Sequence, residues 1–240
     1  MKTNILIYTP VFLAILLITA CNQHEQKSEQ DEQESHQHEQ DSAQHGHANA
    51  HMHQTSFEDL VERFDSPERK DWQKPTEVVA LFGELSGKTI MDIGSGTGYF
   101  SFPLAQAGAK VIAADVDERF QAYIKDKKAE MEIGDEVIEL RKIPYDSPAL
   151  DSAEVDEVII VNTYHHIENR TEYFAKVLKG LKEGGRLWVI DYKKEETPNG
   201  PPLEMRMEAK TVKDELIQAG FGTFEQNDTL LPYQYILIAQ

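Results

Sequence analysis

The fold of this chain is decided by the stretch TIMDIGSGTGYFSFPLAQAGAKVIAAD, residues 89–115. An apolar run at 89–93 opens into three closely spaced glycines, and residues 99–107 then place apolar side chains on one helical face. A second apolar run at 110–114 ends in Asp115. The pattern predicts a strand, a tight glycine turn, a helix and a second parallel strand, joined by a right-handed crossover.

The glycines of this turn, Gly94, Gly96 and Gly98, allow positive φ angles and let a ligand approach bare backbone amides. Asp115 follows Gly94 by 21 positions, at the carboxyl end of the second predicted strand. A carboxylate at that point accepts hydrogen bonds from the two hydroxyls of a ribose. The spacing therefore predicts an adenosine-containing ligand.

Two departures from the dinucleotide-binding pattern narrow the choice of ligand. Tyr99 stands where that pattern has its third glycine, which disfavours close approach by a pyrophosphate. Asp92 lies two residues before the first glycine, and a carboxylate there attracts an ammonium or sulfonium and repels phosphate. The ligand is predicted to carry a positive charge.

The run from Asp92 to Gly98, followed by Asp115, resembles the first two motifs of the class I S-adenosylmethionine-dependent methyltransferases. The resemblance implies that the glycine turn lies under the methionine part of the cofactor, that Asp92 helps to hold its amino end and that Asp115 binds the ribose. The alternative is a turn that only packs a helix on a strand. A further match is the segment LKEGGRL at 181–187, where the family commonly has proline in place of Glu183.

The same resemblance predicts an α/β, doubly wound, Rossmann-like sheet of seven strands, with the last strand antiparallel and with helices at its amino terminus. The globular domain is predicted to span residues 55–240. Leu81 and Met131 are expected in the core, and Thr211 is expected to cap a helix.

Residues 156–161 read Asp-Glu-Val-Ile-Ile-Val, and the uninterrupted apolar part at 158–161 predicts a central strand. Polar residues follow it at 162–166. Ligands of doubly wound sheets bind beyond the carboxyl ends of the strands. We therefore predict that Asn162 contacts the cofactor and that Tyr164, His165 and His166 face the methyl group. A neutral imidazole can accept the proton of a methyl acceptor, although a histidine is also commonly a structural group.

Three further parts of the chain are candidates for the site only because of their position in the sequence. The family often has an acid near the adenine amino group, and Asp146 matches that position. Residues 195–207 form a polar loop that either contacts the acceptor, through Glu204, Arg206 or the nearby Tyr192, or is a solvated connection. Trp72 either covers the cofactor pocket from the amino-terminal helices or packs in the core.

The amino terminus has the composition of an export signal. Lys2 precedes an apolar stretch at 5–18, and residues 18–21, Ile-Thr-Ala-Cys, resemble the lipobox of bacterial lipoproteins. The resemblance implies that residues 1–20 are a signal peptide and that Cys21, the single cysteine, is lipidated. The domain is then exported and anchored to a bacterial membrane, periplasmic or on the outer face. An uncleaved amino-terminal anchor is the alternative.

Residues 21–54 are almost without apolar side chains and predict a disordered tether. Six of its histidines form His-x-His pairs that present two imidazoles on one side of an extended chain: His36 with His38, His45 with His47, and His51 with His53. Such pairs can bind Zn, Cu or Ni weakly. The alternative is a soluble spacer.

The chain holds 42 acidic and 24 basic residues, a net charge of −18. This excess disfavours nucleic acid as a partner and favours a small acceptor molecule. The sequence therefore predicts a methyltransferase that acts on an unidentified small-molecule acceptor. The alternatives are an exported protein that binds S-adenosylmethionine without catalysis, and a metal-binding lipoprotein that uses the histidine tether.

Overall fold

The computed structural model describes residues 54–240. The predicted signal peptide, Cys21 and the six paired histidines of the tether lie outside the described residues. Within residues 54–240, no helix combines the length and the apolar character needed to cross a bilayer.

The described chain alternates helices and strands. The helices are α1 (Phe57–Phe64), α2 (Arg69–Gln73), α3 (Pro75–Ala80), α4 (Ser101–Gln106), α5 (Glu118–Glu130), α6 (Arg170–Gly180) and α7 (Ala209–Ala219). The strands are β1 (Thr89–Ile93), β2 (Lys110–Asp115), β3 (Ile138–Lys142), β4 (Val155–Val161), β5 (Leu181–Tyr192), β6 (Phe224–Asn227) and β7 (Gln234–Ala239). Single 3₁₀ turns lie at Tyr164–His166 and Leu203–Met205.

The strands form one seven-stranded sheet in the order β3-β2-β1-β4-β5-β7-β6. Strands β1 to β5 are parallel, and β7 runs antiparallel between β5 and β6. The predicted fold class is confirmed, including the antiparallel last strand. Strand β4 pairs with β1 on one side and with β5 on the other, which explains the apolar sequence of its second half, 158–161.

Helices cover both faces of the sheet, and alternate residues of each strand supply the two cores. On one face, Ile159 of β4 packs in a cluster with Phe82 and with Ile124 of α5. On the other face, Ile160 packs in a cluster with Phe174 of α6 and Leu216 of α7. This burial holds the carboxyl ends of the parallel strands at one edge of the sheet.

Three local expectations are corrected by the structure. Helix α3 ends at Ala80, so Leu81 turns outward and is 40% exposed. Met131 follows the last turn of α5 and is 42% exposed. Helix α7 begins at Ala209, so Thr211 lies inside the helix instead of capping it.

Glu157, at the amino edge of the sheet, is a buried carboxylate with cationic partners. Its side chain is 3% exposed and accepts hydrogen bonds from Lys88, Arg186 and the indole nitrogen of Trp188, at 2.8–3.3 Å. The two cations compensate the burial of its charge.

Candidate active site

The glycine turn leaves the end of β1 and bends under the start of α4. Gly94 and Ser95 both donate backbone hydrogen bonds to the carbonyl of Ala114 on β2, at 2.8 and 3.0 Å. A Cβ on Gly94 would lie 2.5 Å from the side chain of Thr163. Gly94 is therefore required by the packing of the turn against the residues that follow β4.

Gly96, at the centre of the turn, has a different environment. Its φ is +52°, and the nearest atom to a Cβ built there is on the ring of Phe64, 3.4 Å away. Gly96 is buried, and because Phe64 belongs to α1, the side on which a Cβ would lie faces the amino-terminal helices. A side chain here would fill the space between the turn and those helices.

Asp92, on β1 before the turn, is a buried carboxylate that is 3% exposed. Its Oδ2 accepts one hydrogen bond from the hydroxyl of Ser101, at 2.6 Å. Burial raises the pKa of Asp92 to about 6, and repulsion by Asp115 adds to the shift.

Asp115 ends β2 and is 6% exposed. One carboxylate oxygen accepts from the backbone N–H of Gly96 and the other from that of Asp117, each at 2.9 Å. Burial raises the pKa of Asp115 to about 6, although these hydrogen bonds act in the opposite direction. The structure thus brings Asp92 and Asp115 to the two sides of the turn, as the sequence pattern requires.

The two aspartates differ from Glu157 in their partners. Within residues 54–240, neither Asp92 nor Asp115 forms a salt bridge with a lysine or arginine. Two buried carboxylates that repel each other are electrostatically unfavourable in the unliganded site. A cation bound beside them would remove part of this penalty.

Helix α1 and the residue after it cover the turn. The ring of Phe64 stacks on Phe120 at 5.6 Å, and Asp65 accepts hydrogen bonds from three side chains. These donors are Thr97 of the glycine turn at 2.5 Å, Tyr123 at 2.9 Å and Lys127 at 3.2 Å. We refer to Asp65 and these three donors as the latch, since they fasten α1 to the turn and to α5.

Helix α2 continues this cover toward the ends of β5 and β7. The guanidinium of Arg69 lies 3.9 Å from the centre of the Tyr99 ring, and burial lowers its pKa to about 10. Trp72 packs against Tyr192 and Tyr233, with ring centres 5.8 and 6.1 Å away. Trp72 therefore joins the amino-terminal helices to the carboxyl edge of the sheet.

Two buried polar atoms at the turn have no hydrogen-bond partner among the described residues. They are the hydroxyl oxygens of Ser95 and Tyr99. Such atoms are rare in folded proteins because each loses its hydrogen bonds to water without replacement. Both are suited to a polar ligand bound at the turn.

His165 and Asp191 meet at the ends of the adjacent strands β4 and β5. Nδ1 of His165 lies 3.1 Å from Oδ2 of Asp191, and the two side chains are 6% and 1% exposed. The other carboxylate oxygen of Asp191 accepts from the backbone N–H of Tyr192 at 2.8 Å. Because a carboxylate only accepts, the proton of neutral His165 lies on Nδ1, and Nε2 is left as an acceptor.

The other two predicted catalytic residues have different surroundings. The ring of His166 lies 4.4 Å from that of His165, and burial, followed by repulsion from His165, lowers its pKa to about 3. His166 is therefore neutral above mildly acidic pH. Tyr164 is 1% exposed, and its hydroxyl donates a hydrogen bond to Glu215 of α7 at 2.8 Å. The hydroxyl is therefore engaged in the contact with α7.

The remaining predicted cofactor residues lie at the ends of β4 and β3. Asn162 has a φ of +55°, and its side-chain oxygen accepts from Gln234 at 2.6 Å. Gln234 in turn accepts from Gln73 of α2 at 3.1 Å, so this amide chain links the cover to the end of β4. Asp146 is exposed in the loop after β3, where its backbone carbonyl accepts from Lys176.

A cavity of about 350 Å³ adjoins His165. Its walls combine charged, polar and methionine side chains from the 3₁₀ turn after β4, the start of α6, the loop after β5 and the start of α7: His165, Arg170, Lys194, Glu204, Met205, Arg206, Met207, Glu208 and Thr211. Within residues 54–240, no group of three His, Cys, Asp or Glu side chains is placed to hold a metal ion.

Arg206 organises the loop that forms much of this wall. It is buried and donates to four backbone carbonyls, those of Pro201, Lys193, Glu195 and Asn199. It also lies 5.1 Å from the ring centre of Tyr192. The loop is therefore an ordered structure centred on Arg206, which places Glu204 and its neighbours on the cavity wall.

Sequence reasoning did not identify Asp191, Asp65 or Arg69 as site residues. Asp191 could have been identified, because, like Asp115, it is an acidic residue at the end of an apolar strand. Asp65 and Arg69 are ordinary charged residues of a helical segment. Only their contacts with the glycine turn and with Tyr99 distinguish them.

Comparison with known proteins identifies the region that carries the site. Residues 91–189 match the family model described as a methyltransferase domain. A cypemycin N-terminal methyltransferase of Streptomyces sp. is 31% identical over 109 residues, which are 44% of this chain and 42% of that protein. A ubiquinone biosynthesis O-methyltransferase of Bordetella avium is 27% identical over 126 residues, which are 52% of this chain and 48% of that protein.

The chain thus spans less than half the length of these two relatives. Among solved structures, a SAM-dependent methyltransferase from Aquifex aeolicus superposes with a TM-score of 0.69 at 25% identity, covering 78% of this chain and 98% of that one. Residues 54–240 therefore have the Rossmann-like fold of the S-adenosylmethionine-dependent methyltransferases, and residues 91–189 match their methyltransferase domain.

Proposed function

We propose that this protein transfers a methyl group from S-adenosylmethionine to a small-molecule acceptor. The observation that carries the proposal is the pair of buried aspartates, Asp92 and Asp115, beside a glycine turn and without a salt-bridge partner in the described chain. A ligand that supplies both a positive charge and ribose hydroxyls suits this pair. S-adenosylmethionine supplies both, together with an electrophilic methyl group on its sulfonium.

The residues present fit this cofactor. Asp115 has lone pairs available to ribose hydroxyls beyond those used by Gly96 and Asp117, because each carboxylate oxygen can accept more than one hydrogen bond. The unpartnered hydroxyls of Ser95 and Tyr99 add polar groups at the same turn. Phe64 and the latch cover the turn and would exclude water from a bound ligand.

Calorimetry tests the binding half of this proposal. We expect wild-type protein to bind S-adenosylmethionine with a dissociation constant in the micromolar range, and Asp115→Ala and Gly96→Ala to weaken it by at least 10-fold. S-adenosylhomocysteine, which lacks the sulfonium charge, should be less sensitive to Asp92→Asn than S-adenosylmethionine is. Undetectable binding of both compounds by wild type would exclude the proposed function.

A methyl-transfer assay separates an enzyme from a protein that only binds the cofactor. One of the two relatives is an N-terminal methyltransferase and the other is an O-methyltransferase, so the similarity itself does not select an acceptor. A panel of phenols, thiols, amines and quinols, with transfer followed by mass spectrometry, is the direct test. Cofactor binding without transfer to any compound would favour the non-catalytic alternative.

We also propose that the domain is exported and held at a membrane through lipidated Cys21, on the basis of residues 1–21 alone. S-adenosylmethionine is made in the cytoplasm, so an exported enzyme requires cofactor in its own compartment. Fractionation of native cells, with the domain detected by antibody, tests the location. Recovery of the full-length protein in the soluble cytoplasmic fraction would refute it.

A further inference from the structure

His165 and Asp191 form a buried, hydrogen-bonded pair whose geometry is suited to proton transfer. Both side chains are almost fully buried, and they stand at the ends of neighbouring parallel strands, on the edge of the sheet that also carries the glycine turn. Asp191 is held on its other oxygen by the Tyr192 backbone N–H. This hydrogen bond fixes the carboxylate, and the carboxylate fixes the orientation and the tautomer of His165.

The space beside this pair is suited to a molecule with more than one oxygen. His165 lines the first cavity, and a second cavity of about 390 Å³ shares Lys194 and Glu208 with it. Tyr235 lines the second cavity, pairs across the sheet with Asp191 and is 2% exposed. Its hydroxyl oxygen has no hydrogen-bond partner among the described residues, which suits a polar group of a bound molecule.

The geometry points to His165 as the general base for a hydroxyl-bearing acceptor, with Asp191 as its positioning residue and with Tyr235 bonded to a second oxygen of the same molecule. This inference rests on the proposed function. Nε2 of His165 takes the proton of the acceptor hydroxyl while the oxygen forms its bond to the methyl carbon. The sulfur keeps the electron pair of the broken carbon–sulfur bond, and the imidazolium later releases its proton to solvent.

His166 is less suited to this role. Burial and the neighbouring His165 lower its pKa to about 3, which makes it a weak base. The charged groups that contact His165 or line its cavity are Asp191 on β5, Arg170 on α6, and Lys194, Glu204, Arg206 and Glu208, and Arg63 acts on the neighbouring His166. Arg170 is neutralised by a bidentate contact with Glu215.

The test compares two acceptors in the same proteins. Catechol keeps its protons at neutral pH and needs a base, whereas pentafluorothiophenol is already an anion and needs none. We expect His165→Asn to reduce methylation of catechol by at least 100-fold and that of the thiol by less than about 5-fold. Glu225→Gln, exposed on the edge strand β6, is the control and should leave both rates unchanged.

Asp191→Asn gives a second, spectroscopic test. The oxygen of the new amide is expected to stay on the Tyr192 N–H, so its NH₂ group faces Nδ1 of His165 and moves the imidazole proton to Nε2. Nitrogen-15 NMR of the unliganded protein should show this change of tautomer. The same variant should lose at least 100-fold with catechol and little with the thiol. Tyr235→Phe should mainly raise the KM for catechol.

The outcomes separate this inference from the proposed function. If wild type does not bind S-adenosylmethionine, the proposed function fails and the inference fails with it. If cofactor binding is normal in all variants but His165→Asn keeps catechol methylation, His165 is not the base. Equal losses for catechol and thiol, an unchanged tautomer in Asp191→Asn, or transfer by wild type to the thiol and never to catechol would also overturn the inference.

Discussion

Asp92→Asn should stabilise the unliganded protein and weaken its binding of S-adenosylmethionine. Burial raises the pKa of Asp92 from an ordinary value of 3.8 to about 6. A carboxyl group whose folded pKa lies above its unfolded pKa binds protons more strongly in the folded state, so its ionisation opposes folding. This penalty is absent below about pH 4, grows between pH 4 and 6, and is complete at pH 7.

The size of the penalty follows from the shift. Each pKa unit corresponds to about 1.4 kcal/mol, so the ionised Asp92 costs about 3 kcal/mol at pH 7. Asparagine has no charge to ionise, and its oxygen can still accept the Ser101 hydroxyl. We therefore expect the free energy of unfolding to rise by about 1–3 kcal/mol at pH 7, with the gain vanishing near pH 4.

Asp115→Asn is the matched comparison, because Asp115 has a similarly raised pKa but uses both of its oxygens. Each oxygen accepts a backbone N–H, from Gly96 and from Asp117, and asparagine offers only one acceptor. Leaving one N–H unpaired costs about 1–3 kcal/mol, which offsets the relief of charge burial. Urea unfolding of both variants from pH 4 to 8 makes the measurement. An Asp92→Asn protein that is no more stable than wild type at pH 7, or equally more stable at pH 4, would refute the reasoning.

Three further predictions concern other parts of the chain. Asp65→Asn weakens the latch and should raise the dissociation rate of S-adenosylmethionine by about 5-fold or more, measured by stopped flow, while Asp59→Asn on the exposed side of α1 leaves the rate unchanged. Glu157→Ala removes the partner of Lys88, Arg186 and Trp188 and should lower the free energy of unfolding by about 3–5 kcal/mol in urea titrations, whereas a loss below 1 kcal/mol would show that the network is dispensable. Cys21→Ser should abolish metabolic labelling of the full chain with radioactive palmitate, and retained label would exclude lipidation at this residue.

The sheet and the glycine turn could be predicted because their signals are local. Strand β4 is buried on both faces over its second half, and the apolar run at 158–161 indicates this directly. Asp92, the glycines and Asp115 lie within a short segment whose spacing is set by a strand, a turn and a helix. The local strand, turn and helix are therefore enough to bring these residues together around one turn.

The partners of these residues could not be predicted, because they come from remote segments. Asp65 reaches Thr97 across 32 residues and Tyr123 across 58, and His165 meets Asp191 across 26. Nothing near Asp65 in the sequence indicates that it would accept three hydrogen bonds. The sequence likewise offered two adjacent histidines as equivalent candidates, and only the contact of His165 with Asp191 and the burial of His166 distinguish them.

The order of the strands separates two pairs of side chains at the carboxyl edge of the sheet. Asp92 with Asp115 and His165 with Asp191 therefore have different chemistry. The strand order reverses between the parallel neighbours β1 and β4, since the chain adds β2 and β3 on one side of β1 and then β4 and β5 on the other. Doubly wound sheets bind ligands at such a point. On one side of that point, β1 and β2 contribute Asp92 and Asp115, which form no salt bridge in the described chain, although Arg69 attracts Asp92, and so favour a positively charged ligand. On the other side, β4 and β5 contribute His165 and Asp191, which satisfy each other and leave one ring nitrogen as a proton acceptor. In the proposed reaction, the first pair would hold the cation and the second would activate the hydroxyl from the neighbouring strand ends on the same edge of the sheet, and methyl transfer requires that the two groups be brought into line.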